Sequence, residues 1–444
     1  MQPSSRPVIV ARAAGPISTS LAVDPDKSIT HRALFFGALN HGVTTIRRPS
    51  PAADPRSTLN LLRALGYEID EDAALWRIHG SFRPEEHDRL LLDCGNSGTT
   101  ARLAAGFLTG ERGRFVLSGD ESLARRPMDR VAAPLRRLGA DVETSDGRMP
   151  VTIVGNGSVP GLAHEELAVT SAQVHGALVL AALRSEQGAI IRREKPMRDH
   201  TLRLARRFGV QVHEIEEHGV RVDHIPPSWI DSSVAVSVPG DISSAAFLIA
   251  AALLVPGSRL RIQDVGLNPT RTAFLACLRD MKANVQWKVL QDDFEPVGRI
   301  DAEYSPDMRG IEIGGEHPDI SVAEMMDELP LLALVASQAH GPTRITGAAE
   351  LRVKESDRLA ATRRVLASLG IAMTELEDGF EIGGPQKIAG GTTVDHHGDH
   401  RLCMMAAVAG LAAAGPVTIP GPDAALVSYP DFWLHLEKVA SWKR

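Results

Sequence analysis

The sequence predicts an α/β protein of two domains, and three observations support this prediction. The length of 444 residues leaves room for more than one core, since domains average about 100–200 residues. A unit of strand, helix, strand, helix and two further strands recurs six times along the chain. The sixth unit is cut short, so we expect strands near the N-terminus to complete it. This permutation predicts one domain of residues 22–238 and a second of residues 1–21 plus 239–444.

The first helix of every unit is apolar and is introduced by polar or turn residues, which lie 69 to 86 residues apart. These anchor residues are Lys27, Asn96, Ser171, Asp241, Asp327 and Asp399. A glycine follows each anchor after 14 to 17 residues and opens a strand-like run, as Gly42 does. Because the helices are rich in alanine and apolar on most sides, we expect them to be buried inside their domains.

A second, amphipathic helix follows in the units, predicted over residues 56–65, 126–138, 198–208, 270–281 and 355–369. Four of these five helices end at a glycine, which is a common C-terminal helix signal. The polar face of each predicts a position nearer to solvent. Short pairs of strands, such as residues 67–70 with 76–79, close the units.

Composition excludes several classes of protein. An apolar content of 43% and a net charge of −7 are ordinary for a globular protein and argue against nucleic acid or an acidic membrane as partner. The three cysteines, Cys94, Cys277 and Cys403, are far apart, which argues against a disulfide framework and favours the cytoplasm. There is no CxxC or HExxH motif and no apolar run of about 18 residues, so we expect neither a protein-built metal site nor a membrane span.

The start of the first buried helix combines cations and hydroxyls. Lys27 and Ser28 fall in its first turn, and Arg32 lies one turn further on the same side as Ser28. A helix N-terminus offers unpaired N–H groups and a positive dipole end, which suit an anion such as phosphate. An ordinary capped helix with solvated charges is the alternative.

The next two buried helices start with comparable groups. Asn96 and Gly98 belong to a Gly/Ser/Thr loop whose N–H groups could cradle an anion, although a structural turn explains the loop equally well. Ser171, Ala172 and Gln173 bring a hydroxyl and an amide that suit a hydroxylated ligand or a helix cap. Two further cations, Arg126 and Arg198, stand at the predicted starts of amphipathic helices.

The second half of the chain adds acids beside cations. Asp327 opens the fifth buried helix, where the dipole favours a carboxylate. Lys354 and Arg358 are predicted to share a helix face, with Glu355 beside them. Arg401 precedes a wholly apolar helix, so it must be paired or face a cleft.

Together, seven cations are predicted near helix starts in both domains: Lys27, Arg32, Arg126, Arg198, Lys354, Arg358 and Arg401. If the repeats aim these starts at a common cleft, the positive charge predicts two phosphate-bearing ligands there. Asp327 and Glu355 would then be available for proton transfer. A non-catalytic phosphometabolite-binding protein would need the cations but not these two carboxylates.

These motifs, read together, resemble the 5-enolpyruvylshikimate-3-phosphate synthase family over essentially the whole chain. The resemblance rests on DKSITHR, GNSGTTARL, RRPM, SAQ, RDHT, NPTR, DELP, RVKESDRL and GDHR, in this order. It implies an inside-out α/β fold of two domains, each with three βαβαββ units. It also implies transfer of the carboxyvinyl group of phosphoenolpyruvate to the 5-hydroxyl of shikimate 3-phosphate, on the route to chorismate and the aromatic amino acids. Phosphate is released, no metal or organic cofactor is implied, and glyphosate is the family's inhibitor.

Matching positions imply roles for individual residues. The implied shikimate 3-phosphate contacts are Lys27, Ser28, Arg32, Ser171, Ala172, Gln173, Arg198, Asp327 and Lys354. The implied phosphoenolpyruvate contacts are Lys27, Asn96, Gly98, Arg126, Gln173, Arg358 and Arg401. Asp327 is expected to accept the hydroxyl proton, and Glu355, with Lys27, to protonate the vinyl methylene. The assignment of each proton transfer to one group stays open.

The chain also departs from the family pattern. Asp24-Pro25 replaces the usual Pro-Gly, no lysine stands shortly before Tyr429, and His175 occupies a position where many relatives have lysine. The sister transferase family that acts on a UDP-sugar uses a cysteine in the loop corresponding to residues 121–130, where this chain has none. We expect only small-molecule partners, and the self-completing permutation favours a monomer.

Overall fold

The computed structural model describes residues 6–80, 87–159, 164–167, 171–193, 197–215, 218–225, 233–314, 317 and 320–440. The chain forms two compact units, residues 25–238 and residues 1–24 with 239–444.

The chain begins with two strands of the discontinuous unit, β1 (Val8–Val10) and β2 (Ser18–Ala22). The unit of residues 25–238 then contains α1 (Lys27–Leu39), β3 (Val43–Arg47), α2 (Ala53–Ala64), β4 (Glu68–Glu71), β5 (Leu75–His79), β6 (His87–Asp93), α3 (Gly98–Leu108), β7 (Arg112–Ser118), α4 (Glu121–Ala124), α5 (Asp129–Arg137), β8 (Asp141–Ser145), β9 (Arg148–Asn156), β10 (His164–Leu167), α6 (Ala172–Leu183), β11 (Ala189–Arg193), α7 (His200–Arg207), β12 (Val212–Ile215), β13 (Gly219–Val222) and β14 (Val234–Ser237).

The discontinuous unit continues with α8 (Ile242–Leu254), β15 (Arg259–Gly266), α9 (Ala273–Asp280), β16 (Val285–Asp292), β17 (Pro296–Glu303), β18 (Glu312–Ile313), α10 (Leu329–Ala336), β19 (Gly341–Ile345), α11 (Arg358–Ser368), β20 (Thr374–Leu376), β21 (Gly379–Gly384), β22 (Thr392–Thr393), α12 (His400–Ala412), β23 (Val417–Ile419) and α13 (Phe432–Ala440). Its 3-10 helices are Pro269–Arg271, Val322–Met325, Ala349–Val353 and Pro422–Val427.

The described strands form six sheets that repeat one pattern. In the unit of residues 25–238 the strand orders are β14-β3-β5-β4, β6-β7-β9-β8 and β10-β11-β13-β12. In the other unit they are β2-β15-β17-β16, β18-β19-β21-β20 and β22-β23-β1. The first two strands of every sheet are parallel, and the remaining neighbours are antiparallel. The predicted α/β fold of repeated units is therefore confirmed.

The N-terminal strands differ in their pairing from what we expected. Strand β1 pairs with β23 of the sixth repeat, but β2 pairs in parallel with β15 of the fourth repeat. The first repeat takes its parallel strand, β14, from the far end of its unit. The expectation that the strands before Leu21 complete the sixth unit was therefore wrong for β2.

The first helix of each repeat is buried along most of its length, as predicted: α1, α3 and α6 in one unit, and α8, α10 and α12 in the other. Small residues allow these helices to pack closely. A Cβ atom added at Gly106 in α3 would lie 2.0 Å from the carbonyl oxygen of Ala177 in α6. Because sheets cover these helices, their N-termini are the places where polar side chains collect.

Four of the five predicted amphipathic helices, α5, α7, α9 and α11, start two or three residues later than expected. Residues 126–138 form only α5 from Asp129, so Arg126 lies in the connection between α4 and α5. Helix α11 begins at Arg358, because Asp357 caps it and accepts a hydrogen bond from Ala360 N. Lys354 follows the 3-10 helix in an extended conformation, so the prediction that Lys354 and Arg358 share a helix face was wrong. Within the described ranges, no helix combines the length and the apolar character needed to cross a bilayer.

Candidate active site

The start of α1 presents a lysine held by a carboxylate. Asp26 caps the helix by accepting a hydrogen bond from Ile29 N at 2.9 Å. Lys27 is the first helical residue, and its Nζ lies 2.8 Å from Asp54 Oδ2. The Lys27 side chain keeps 16% of its surface exposed, so the charge stays within reach of a ligand. Ser28 is the next residue of the same turn.

Arg32 joins three helix starts of the same unit. Its Nη1 donates to Ser28 O at 2.9 Å, and its Nη2 donates to Ala172 O at 3.3 Å in α6. Its Nε donates to Thr201 Oγ1 at 2.7 Å in α7. Arg32 is 4% exposed, and Arg198 lies half-buried two residues before α7. The structure thus brings together Ser28, Arg32 and Ala172.

The start of α3 lies against two arginines. A Cβ atom added at Gly98 would lie 2.9 Å from Arg102 Nη1 and 3.1 Å from Arg126 Nη1. Arg126 is 8% exposed, and its Nη2 donates to Asn96 Oδ1 at 2.8 Å. Only glycine leaves both guanidinium groups undisturbed beside this helix N-terminus, where the dipole favours an anion.

The side chain of Gln173 is oriented by hydrogen bonds to Arg102 and Thr99 of α3. Arg102 Nη1 donates to Gln173 Oε1 at 2.5 Å, and Gln173 Nε2 donates to Thr99 Oγ1 at 2.9 Å. Ser171 caps α6 by accepting from Val174 N at 3.5 Å. Sequence reasoning missed Arg102, although its place one turn after Gly98 in α3 was an available signal.

Two buried histidines in this unit stay neutral. Burial, followed by Lys27 and Arg32, holds the pKa of His31 well below its usual value. Burial, with Arg193 and Arg32, lowers the pKa of His175 to about 3. The positive charge at the start of α1 therefore comes from Lys27 and Arg32.

In the other unit, the candidate site residues surround Arg358, which is 1% exposed. Its Nη1 lies 3.4 Å from Asp327 Oδ1, its Nη2 lies 2.5 Å from Glu355 Oε2, and its Nε lies 2.8 Å from Asp399 Oδ2. Burial alone would lower the pKa of Arg358, but these carboxylates outweigh it and raise that pKa. Burial likewise favours protonation of Asp399, yet Arg358 outweighs it and lowers the pKa of this carboxyl.

Arg401, in the first turn of α12, is buried between two acids. Its Nη2 lies 4.0 Å from Asp327 Oδ2, and its Nη1 lies 4.0 Å from Glu328 Oε1. Asp399 caps the helix and accepts from Arg401 N at 2.9 Å. Lys354 directly precedes Glu355 in the chain and pairs with Glu350, its Nζ lying 3.4 Å from Glu350 Oε1. The structure therefore brings Asp327, Glu355, Arg358 and Arg401 together within one unit.

Comparison with known proteins covers nearly the whole chain. The fold matches that of the enolpyruvyl transferase NikO from Streptomyces tendae, with a TM-score of 0.76, 15% identity and 98% of each chain covered. It also matches EPSP synthase from Acinetobacter baumannii, with a TM-score of 0.83, 34% identity and 98% of each chain covered. A 3-phosphoshikimate 1-carboxyvinyltransferase of Parasynechococcus marenigrum is 42% identical over 98% of both chains. One of Lactiplantibacillus plantarum is 40% identical over 95% of this chain and 96% of its own.

The repeated architecture of this chain is the fold of the enolpyruvyl transferase NikO and of EPSP synthase. The family model of EPSP synthase (3-phosphoshikimate 1-carboxyvinyltransferase) matches residues 11–436. The chain belongs to this family.

Proposed function

We propose that the protein transfers the carboxyvinyl group of phosphoenolpyruvate to the 5-hydroxyl of shikimate 3-phosphate and releases phosphate. The observation that carries the proposal is the position of Asp327 beside two buried arginines, 3.4 Å from Arg358 and 4.0 Å from Arg401. A protein that only binds phosphometabolites needs the arginines. Transfer to a hydroxyl group also needs a carboxylate among them that accepts the hydroxyl proton.

Phosphoenolpyruvate carries a carboxylate and a phosphate, both of which suit guanidinium forks. The proposed contacts are Lys27, Asn96, Gly98, Arg126, Gln173, Arg358 and Arg401. The buried positions of Arg126 and Arg358 support this assignment, because little water competes there for the ligand.

Shikimate 3-phosphate presents a phosphate and hydroxyl groups. The proposed contacts are Lys27, Ser28, Arg32, Ser171, Ala172, Gln173, Arg198, Asp327 and Lys354. Arg32 Nη2 of α1 donates to the backbone oxygen of Ala172 at 3.3 Å, so the starts of α1 and α6 lie close together, which supports one shared phosphate subsite in this unit. Helix N-termini of α1 and α6 add their dipoles to it.

The reaction proceeds by addition and elimination. Asp327 accepts the 5-hydroxyl proton while that oxygen bonds to C2 of phosphoenolpyruvate, and Glu355, with Lys27, supplies a proton to the methylene carbon. The resulting methyl group then gives a proton back, the bond between C2 and the phosphate oxygen breaks, and phosphate leaves. The contact of Glu355 with Arg358 at 2.5 Å supports its place in this proton transfer, since the arginine stabilises the carboxylate after it has given its proton.

We also propose that residues 22–238 form one functional domain and that residues 1–21 plus 239–444 form the other. The protein is proposed to act as a monomer with no metal or organic cofactor.

The test is release of phosphate from phosphoenolpyruvate, measured with purified protein. The proposal expects release only when shikimate 3-phosphate is also present. Omitting it, or replacing it with a UDP-sugar, should reduce the rate to background. Release with the UDP-sugar, or binding of both ligands without release, would contradict the proposal.

A further inference from the structure

Glu328 is a buried carboxylate that the proposed reaction does not use. It is 5% exposed and directly precedes α10, where its backbone oxygen accepts from Leu332 N at 2.8 Å. Its Oε1 accepts a hydrogen bond from the hydroxyl of Ser243, and the same oxygen lies 4.0 Å from Arg401 Nη1. A buried charge of this kind is costly unless it is paired, so its place between Ser243 and Arg401 needs a reason.

Ser243 is itself held in place by hydrogen bonds with Arg271 and Asp241. Its hydroxyl oxygen accepts from Arg271 Nη2 at 2.6 Å, and its backbone N donates to Asp241 Oδ1 at 2.8 Å. Arg271 Nη2 also lies 3.7 Å from Asp241 Oδ1. Because the Ser243 oxygen is occupied by Arg271, its proton is directed to Glu328. The start of α8 and the Asn-Pro-Thr-Arg motif thus fix the Glu328 carboxylate in place.

Arg401 is held only by charge. Its guanidinium is 6% exposed and donates no hydrogen bond to any residue within the described ranges. The carboxylates of Asp327 and Glu328 each lie 4.0 Å from the Arg401 guanidinium. This separation exceeds that of a hydrogen-bonded ion pair, which is about 2.7–2.9 Å. Arg401 is therefore balanced between two acids and bound closely by neither.

We propose that Glu328 is a positioning residue that keeps Arg401 from closing onto Asp327. The inference rests on the proposed function, in which Arg401 binds the anion of phosphoenolpyruvate and Asp327 accepts a proton. Without the opposing charge of Glu328, Arg401 moves to Asp327 and forms a direct ion pair. That pair withdraws the guanidinium from phosphoenolpyruvate and neutralises the proton acceptor.

The first test is Glu328→Gln, which keeps the size of the side chain and an oxygen that accepts from Ser243 but removes the charge. We expect the KM for phosphoenolpyruvate to rise about tenfold and kcat to fall about tenfold, since small displacements of binding groups have effects of this size. The KM for shikimate 3-phosphate should stay within about twofold, and Glu328→Asp should give intermediate values. An unchanged or lowered KM for phosphoenolpyruvate would overturn the proposal.

The matched control is Glu295→Gln, which changes another buried carboxylate of the same unit. Glu295 is 2% exposed and accepts from Asn268 Nδ2 at 2.9 Å. A merely structural role for Glu328 would lower Tm in both variants and leave the KM for phosphoenolpyruvate unchanged in both. Ser243→Ala, which frees Glu328 while keeping its charge, should raise this KM less than Glu328→Gln does.

The second test does not depend on activity. Crystal structures of the wild type and of Glu328→Gln should show the distance from Arg401 to Asp327 shortening from 4.0 Å to about 2.8 Å. An unchanged distance would overturn the positioning role. A wild-type protein without phosphate release would instead refute the proposed function, and the two failures are thereby distinguished.

Discussion

Replacing Gly98 by alanine tests the cradle at the start of α3. The added Cβ atom would lie 2.9 Å from Arg102 Nη1 and 3.1 Å from Arg126 Nη1, whereas ordinary contacts begin at 3.4 Å. Both contacts are at the ends of flexible side chains, so the guanidinium groups retreat by a few tenths of an ångström. Gly98 does not have a positive φ, so alanine introduces no backbone strain, and its helix propensity is better than that of glycine by up to about 1 kcal/mol.

The expected effect is therefore on the ligand and not on the fold. Displacement of Arg126 and the new methyl group should raise the KM for phosphoenolpyruvate about tenfold, which corresponds to about 1.4 kcal/mol. Inhibition by glyphosate, which the family resemblance places beside Gly98, should weaken by at least the same factor.

The assay is phosphate release at varied phosphoenolpyruvate and glyphosate concentrations. Gly383→Ala is the matched control, because a Cβ atom added at Gly383 meets no atom within 4 Å. The reasoning is refuted if Gly98→Ala leaves the glyphosate inhibition constant unchanged, or if it lowers Tm by more than the control does.

Three further variants test other parts of the account. Lys27→Met should abolish turnover and leave the fold intact, because the Asp54 it pairs with stays partly exposed; a near-normal kcat would refute the role of Lys27. Asp327→Ala should lower kcat by about 10²–10⁴ with little change in substrate affinity, and a pure KM effect would count against it. Burial, with Asp431 and Asp241 nearby, raises the pKa of Asp24 from 3.8 to about 7, so the folded protein binds this proton more tightly than the unfolded chain and loses stability as pH rises between these values. Urea unfolding should show Asp24→Asn gaining up to about 2 kcal/mol on the wild type between pH 5 and pH 7, whereas a difference independent of pH would contradict this.

The buried helices could be predicted because their signal is local. Alanine-rich, apolar segments that begin with a capping residue describe α1, α3 and α12 without any knowledge of their neighbours, and the structure buries all three. The anion-binding character of their N-termini follows from helix geometry alone.

The pairing of the strands could not be predicted in the same way. Ser18 in β2 pairs with Arg259 in β15, and Val234 in β14 pairs with Thr44 in β3. The pairing partner of a short strand depends on its packing context, and several short strands of similar character compete for each position in a sheet. The sequence of β2 alone therefore does not determine whether this strand pairs within the fourth or the sixth repeat.

Within the candidate site, side-chain contacts between residues far apart in the sequence also could not be predicted. Arg102 reaches Gln173 in α6, and Glu328 reaches Ser243 in α8. The helix predicted over residues 355–369 includes Asp357, yet the Asp357 side chain accepts from Ala360 N and starts α11 after Lys354. Aspartate prefers the capping position to a helix interior, and this preference prevailed.

The central claim is that a carboxyvinyl group moves intact from phosphoenolpyruvate to a sugar-like hydroxyl. The most direct measurement incubates the protein with shikimate 3-phosphate and ¹³C-labelled phosphoenolpyruvate and follows the carbon by NMR. The account predicts an enol ether on the 5-oxygen of shikimate 3-phosphate, formed in equal amount to the released phosphate. Labelled pyruvate with unchanged shikimate 3-phosphate would contradict it.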